Sequence, residues 1–185
     1  MRLLIFINAI LLTSFTGSIS ASATIGEVTS HTGSTSISRS TEMLDMSDGL
    51  SVNLNDVAMT SNGRLAIQFI DEAQLRLTEH SKVLIDTIIY DPDPDKSKMV
   101  LKFAQGTARF ASGKLALINK ANIVIETPVA TIGIRGTDFT TTIDEIGRSL
   151  IILLPDENGD SSGEITVSNS AGTTTLDFVG ILLLL

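Results

Sequence analysis

The chain has 185 residues, of which 21 are acidic and 13 basic for a net charge of −8, with no cysteine, no tryptophan and a single tyrosine. That length predicts one domain with a real core, and the scarcity of rings makes that core aliphatic. Disulfides, thiol catalysis and zinc–thiolate sites are excluded, and the charge has the wrong sign for nucleic acid or anionic lipid, which require clustered Lys and Arg.

The N-terminus reads as a cleaved signal helix. Met1-Arg2 is a short positive end, residues 3–12 are nearly all apolar, and Ala21-Ser22-Ala23 forms an A-x-A cleavage site. The apolar run is shorter than the roughly 20 residues that span a bilayer. The expected division is therefore a signal peptide over residues 1–23, a β domain over 24–178 and an apolar tail over 179–185, with the mature chain starting near Thr24. No cysteine follows the signal, so lipid attachment there is excluded.

Residues 24–28 predict a first strand, and the Ser/Thr/Gly-rich residues 29–40 permit a thin polar one. Asp48-Gly49 marks a turn, after which Leu50, Val52 and Leu54 alternate with polar neighbours. Asn62-Gly63 reads as a hairpin turn, followed by Leu65, Ile67 and Phe69 on one face, a turn at Asp71-Glu72, Leu75 and Leu77, a turn over residues 79–81, then Val83 and Ile85. The even spacing of Leu65, Leu75 and Ile85 predicts an all-β fold of short strands in a regular meander or a β-solenoid-like stack. Apolar positions that step by two, not by three and four, argue against a helix.

Residues 91–98 (DPDPDKSK) predict a loop, since two prolines and five charges leave nothing to pair in a sheet. Strands are expected at 99–103, 115–118 and 123–125, with turns at Gln105-Gly106, Ser112-Gly113 and residues 119–122. Beyond them, 139–143 predicts a strand closed by Ile146-Gly147-Arg148. Residues 150–154 read as a fully buried strand, 155–163 as an acidic loop, and 165–167 and 173–178 as closing strands around a turn at 170–172. The leucine-rich end is either a last core strand, a surface that adheres to a partner, or a reading frame cut short.

Residues 127–141, TPVATIGIRGTDFTT, form the central stretch. Pro128 lacks an N–H and breaks what precedes it; Val129, Thr131 and Ile132 are β-branched and suit a pleated strand. Gly133 and Gly136 flank Arg135, and glycines in a strand mark a bulge, a positive φ or a close backbone approach. Arg135 is expected to be buried, its donors met by carbonyls or by Asp138; the alternatives are an anion cradle and an exposed ligand contact. This stretch resembles the signature segment of the FecR domain, an extracytoplasmic all-β module, and the flanking runs LNDVAMT, RLAIQFIDEAQLRLTEHSKVLI and LKFAQGTARF follow the same family order. The resemblance spans residues 25–167. It assigns the structural motif to Thr127, Pro128, Gly133, Arg135, Gly136, Thr137, Asp138 and Phe139. Two departures stand out: Asn55 occupies the position where the family usually has glycine, and IDEAQL lacks a turn glycine.

No residues point to catalysis. His31 and His80 sit in polar, turn-like settings away from any G-x-S-x-G elbow. Asp91, Asp93 and Asp95, and again Asp156, Asn158 and Asp160, space oxygen ligands as a calcium loop does, yet the first has prolines at both intervening positions and no glycine at its sixth, and the second has Val167 where an EF-hand has glutamate; they are weak metal candidates against solvated loops. No cofactor is expected. The family's best-known members are membrane-spanning regulators whose cytoplasmic segment acts on a sigma factor while the extracytoplasmic part senses a TonB-dependent transducer. The expectation here is a periplasmic or secreted, non-enzymatic binding or sensing module of the cell envelope, without the cytoplasmic part or a transmembrane span, whose partner is another envelope protein. The alternative is a secreted surface or matrix protein binding polysaccharide or calcium.

Overall fold

The computed structural model describes residues 23–91, 93, 95–118 and 122–184; the expected signal helix and most of the expected turn at 119–122 lie outside the described residues. In chain order the elements are β1 (Thr24–Arg39), β2 (Glu42–Leu44), β3 (Ser51–Asn53), β4 (Val57–Phe69), β5 (Gln74–Leu77), β6 (Lys82–Ile89), β7 (Lys98–Ala111), α1 (Leu115–Ile118), β8 (Ile123–Glu126), β9 (Thr131–Arg135), β10 (Asp138–Ile143), β11 (Ser149–Leu153), β12 (Glu164–Asn169), β13 (Gly172–Leu176) and β14 (Gly180–Leu184). The expected all-β domain is what the structure shows. Among the described residues all strand pairs are antiparallel except β7 with β8.

The organising feature is that β4 and β7 change partners part-way along. The first part of β4 pairs with β6 and the last part with β5, while β1 lies along its other side throughout. The first half of β7 lies between β6 and β8, and its second half between β5 and β10. Two sheets therefore share these long strands. From β7 one continues through β8, β9, β12 and β13, and the other through β10, β11 and β14. Strands that serve two sheets turn the corner at a bend or bulge. On β1 and β4 that corner is Gly33 opposite Gly63, where the register slips between Gly33 and Thr35. A Cβ on Gly33 would lie 2.2 Å from the Asn62 carbonyl oxygen, and Gly33 itself has φ +65°.

Asn62-Gly63 is thus no hairpin turn. An Asn-Gly pair makes a hairpin when the segments on either side can pair with each other; here both pair with β1. Gln105-Gly106 is likewise not a turn, for β7 continues through it, bending at Gly106 with φ +90° where its neighbour changes from β6 to β10.

A single core cluster fills the space between the sheets, drawing Ile132, Ile165 and Val167 from one and Phe139, Ile151 and Leu153 from the other. Phe110 and Phe139 face each other across β7 and β10, with ring centroids 6.1 Å apart, inside the range in which tilted ring pairs attract. The remainder is aliphatic, as composition requires.

Two further expectations change. Residues 115–118 form a helical turn and not a strand, because the buried Asp71 reaches across: its carboxylate accepts the Leu115 N–H at 3.3 Å and its carbonyl accepts the Lys114 N–H at 2.6 Å. A side-chain oxygen on a free first-turn N–H is what an N-cap supplies, and Leu115 and Ala116 fill the core beneath. In β11, Leu150 and Ile152 are only half-buried, since one face of that strand looks outward. The leucine-rich end, for its part, joins the sheet: β14 pairs with β11, and Leu182 and Leu184 pack on the core.

Burial makes Asp71 sensitive to pH. Desolvation raises its pKa above the ordinary carboxylate range, against the hydrogen bonds from Ala73 and Leu115 that favour the anion. The folded chain then holds the proton more tightly than the unfolded chain, so this contribution to stability is complete below the ordinary range and is lost as pH rises through the raised value. Asp71→Asn, which resembles the protonated acid, should gain on wild type as pH is taken from about 3 to 7. Urea midpoints of the two proteins at each pH measure this, and a gap that does not move with pH would count against it.

Both departures from the family pattern fall on left-handed backbone. Asn55 has φ +66° and Glu72 has φ +69°. Asparagine tolerates that region; glutamate there costs about 1–2 kcal/mol. The Glu72 side chain pairs with exposed Lys114, a contact of small worth. Glu72→Gly is expected to stabilise by up to about 1 kcal/mol once the entropy of glycine is counted, read as an upward shift in the denaturant midpoint.

Candidate functional site

Residues 127–139 build the passage from one sheet to the other. Thr127 closes a tight turn, its hydroxyl accepting the Ala130 N–H at 3.0 Å and its N–H donating to the Ala130 carbonyl at 2.8 Å, with Pro128 in the turn, so β9 begins at Thr131. Along β9, Ile132 and Ile134 point into the core and Thr131 and Arg135 point out. Gly133 follows that strand without strain, since a Cβ there would find its nearest neighbour at 3.8 Å. Gly136 then takes φ +61°, and the chain leaves β9 to enter β10 in the second sheet. The buried Thr137 hydroxyl shares a hydrogen bond of 2.8 Å with Ser162, and the Thr137 carbonyl accepts the Ser112 N–H at 3.1 Å. Ser162 also receives the Asp138 N–H at 3.2 Å and donates to the Asp138 carbonyl at 3.1 Å. Phe139 enters the core at once.

Arg135 is not buried. Its side chain is 59 % exposed, and it meets Glu164, its cross-strand neighbour on β12, at 3.5 Å. Asp138 turns to Arg109 instead. The alternation of Thr131, Gly133 and Arg135 with two isoleucines is the signal that places the arginine outside. Arg135→Ala is therefore expected to change the unfolding free energy by no more than about 0.5 kcal/mol, the range of exposed ion pairs and ordinary surface substitutions. A loss several times larger in a denaturant melt would restore the structural reading of this side chain.

The outward face of the second sheet carries the molecule's most unusual arrangement of charge. A row of directly paired residues crosses it: Ser30, Ala66, Arg76, Arg109, Thr140, Ile152 and Ile181. Arg109 is fixed by Asp138, whose carboxylate takes its Nε–H at 3.0 Å and also bonds Nη2, and this hydrogen bond raises the pKa of the guanidinium. Among the described residues Arg76 bonds only the Gln74 side-chain oxygen, at 3.0 Å. Among the described residues it is the arginine without an acidic partner. The two arginines border a groove of about 630 Å³ that reaches Arg64 and Thr32. These residues were not singled out from sequence, although Arg76 sits between Leu75 and Leu77 and Arg109 between Ala108 and Phe110. Apolar flanks at that period aim the middle side chain outward.

The acidic loops use their carboxylates on their own backbone. Asp91 accepts the Asp93 N–H at 2.8 Å and Asp93 the Asp95 N–H at 3.3 Å, while Asp156 accepts those of Asn158 and Asp160 at 2.8 and 3.0 Å. No three acidic or histidine side chains converge on a common point among the described residues. His80 lies in the turn before β6, but His31 lies within β1, 3.9 Å from Asp48. Among the described residues no helix is long and apolar enough to cross a membrane.

Two packed sheets, a fixed corner between them and a mixed polar and apolar outer face define a single all-β domain. The chain belongs to the FecR protein family, whose family model matches residues 55–154. It is also similar to two crystal structures, at 2.50 and 1.65 Å resolution, of a candidate anti-sigma factor from Parabacteroides distasonis, each with 12 % identity and a TM-score of 0.49 over 68 % of this chain. The chain spans a little over half of those solved chains, 56 % and 57 % of their lengths. No curated protein matches it.

Proposed function

We propose that this chain is an exported binding and sensing module of the cell envelope that works through contact with another protein and not through turnover. The family match over residues 55–154 carries the reading. In that reading residues 1–23 are removed on export and the β domain follows, with Thr127, Pro128, Gly136, Thr137, Asp138 and Phe139 holding the two sheets in register. The sequence of the first 23 residues supports export, with its basic end, apolar run and Ala21-Ser22-Ala23 site. A regulatory family whose members act by contact supports the absence of turnover.

Cell fractionation with N-terminal sequencing tests export. The protein should appear outside the cytoplasm and begin within a few residues of Thr24. A full-length chain confined to the cytoplasm would defeat the proposal.

A further inference from the structure

We infer that the outward face of the second sheet, from Arg76 to β14, is the docking surface of this module, and that its partner is a protein presenting a carboxylate within an otherwise apolar patch. The inference rests on the protein-binding reading above and assigns its surface.

Two independent observations meet on this face. Arg76 and Arg109 stand directly opposite each other on β5 and β7, and like charges in that position destabilise a sheet. In a chain with 21 acidic residues against 13 basic, one of this pair has a fixed counter-ion and the other has none among the described residues. A carboxylate from outside would complete the set, and Arg76 offers a planar fork for it. Two strands further on, the same face becomes apolar. Leu150 and Ile152 of β11 lie opposite Leu183 and Ile181 of β14, and the latter two are 56 % and 67 % exposed. With strands about 4.8 Å apart, the arginines and the leucines belong to one continuous surface. Arginine is also one of the residues enriched among interface hot spots.

Charge and chemistry select the class of partner. A polyanion such as nucleic acid, an anionic polysaccharide or a membrane would meet a net charge of −8 and gain little from four aliphatic side chains. A single carboxylate in an apolar setting meets both ends of the face.

Photo-crosslinking on the full chain in its native cells tests the assignment. A benzoylphenylalanine residue would replace Thr140 or Ile181 on the face, and Lys82 or Thr131, both exposed elsewhere, as controls. The expected result is one protein captured from positions 140 and 181 and not from 82 or 131. That protein, purified, should bind wild type in calorimetry, and Arg76→Glu and Arg76→Gln should weaken binding by roughly thirtyfold or more, as for breaking a desolvated charged contact. Lys82→Glu should leave it unchanged, and replacing the partner's carboxylate by lysine should restore binding to Arg76→Glu. Thermal melts of the Arg76 variants should match or slightly exceed wild type, since each relieves the like-charge pair with Arg109.

Capture from 82 or 131 alone, or binding indifferent to both Arg76 variants, overturns this surface and leaves the sensing reading standing. No protein captured from any of the four positions overturns both. A crosslinked pair of this chain, or Arg76-dependent retention on polygalacturonate or phosphatidylglycerol vesicles, replaces the envelope protein with a second copy, an anionic polymer or an anionic membrane.

Discussion

Arg39→Ala should destabilise the domain by about 3 kcal/mol or more, the scale on which breaking one side of a buried pair is felt. The Asp56 side chain is fully buried, and it accepts Arg39 Nε at 2.9 Å, Arg39 Nη2 at 2.8 Å and the Asn53 N–H at 2.8 Å. The same Nη2 also donates to the Ser51 carbonyl at 2.8 Å. One guanidinium thus joins the end of β1 to β3 and to the entry of β4. Removing it strands a carboxylate away from water; removing Asp56 instead leaves an arginine whose side chain is 33 % exposed and able to hydrate. Arg39→Ala should therefore be the worse of the two single changes. Lysine should recover only part of the loss, since one ammonium cannot reach both carboxylate oxygens and the Ser51 carbonyl in the same plane. The double variant Arg39→Met with Asp56→Leu should be milder than Arg39→Ala, because no buried charge remains. Guanidinium denaturation of the four proteins gives the order, and a wild-type midpoint for Arg39→Ala would show that the pair contributes nothing.

Much of this fold was legible because period-two alternation reports burial directly. The strands containing Leu65 and Ile67, Leu75 and Leu77, and Val83 and Ile85 are where the alternation places them, and the same rule read one step further puts Arg76, Arg109 and Arg135 outside. What alternation cannot report is which sheet a strand belongs to. Asn62-Gly63 and Gln105-Gly106 look like turns because glycine is equally suited to a hairpin and to a strand that changes partners, and only long-range pairing decides. The helical turn at Leu115–Ile118 depends on Asp71, which lies 44 residues before Leu115 in the chain, so local propensity holds no trace of it. Arg135 was expected inside because the flanking glycines suggested crowding. Yet the crowding is between Gly163 and the backbone carbonyls of Arg135 and Gly136, and not around the arginine side chain. The outward face shares the limitation: each of its arginines is readable alone, but their juxtaposition exists only once β5 and β7 are paired.

That crowded backbone gives the second large effect. Gly163→Ala should cost about 3 kcal/mol, combining overpacking against rigid backbone with a disfavoured φ. A Cβ on Gly163 would lie 2.1 Å from the Gly136 carbonyl oxygen and 2.7 Å from that of Arg135, and Gly163 has φ +157°. Neither carbonyl can move freely. Arg135 is held in register with Glu164 on β12, and the residues after Gly136 are tied down through Thr137, Asp138 and Ser162. Gly136→Ala separates the two causes, because Gly136 also has a positive φ, +61°, but a Cβ there meets nothing within 4 Å; it should cost about 1 kcal/mol from conformation alone. The larger loss has a consequence beyond stability. Asp138 follows this corner and orients Arg109, so a loop pushed away by the added methyl of Gly163→Ala should loosen the Arg109 side chain even in molecules that remain folded, visible as a broadened guanidinium NMR signal. Equal melting of the two alanine variants, with Arg109 undisturbed in both, would mean that the loop yields without cost and that the corner does not set the geometry of the outer face.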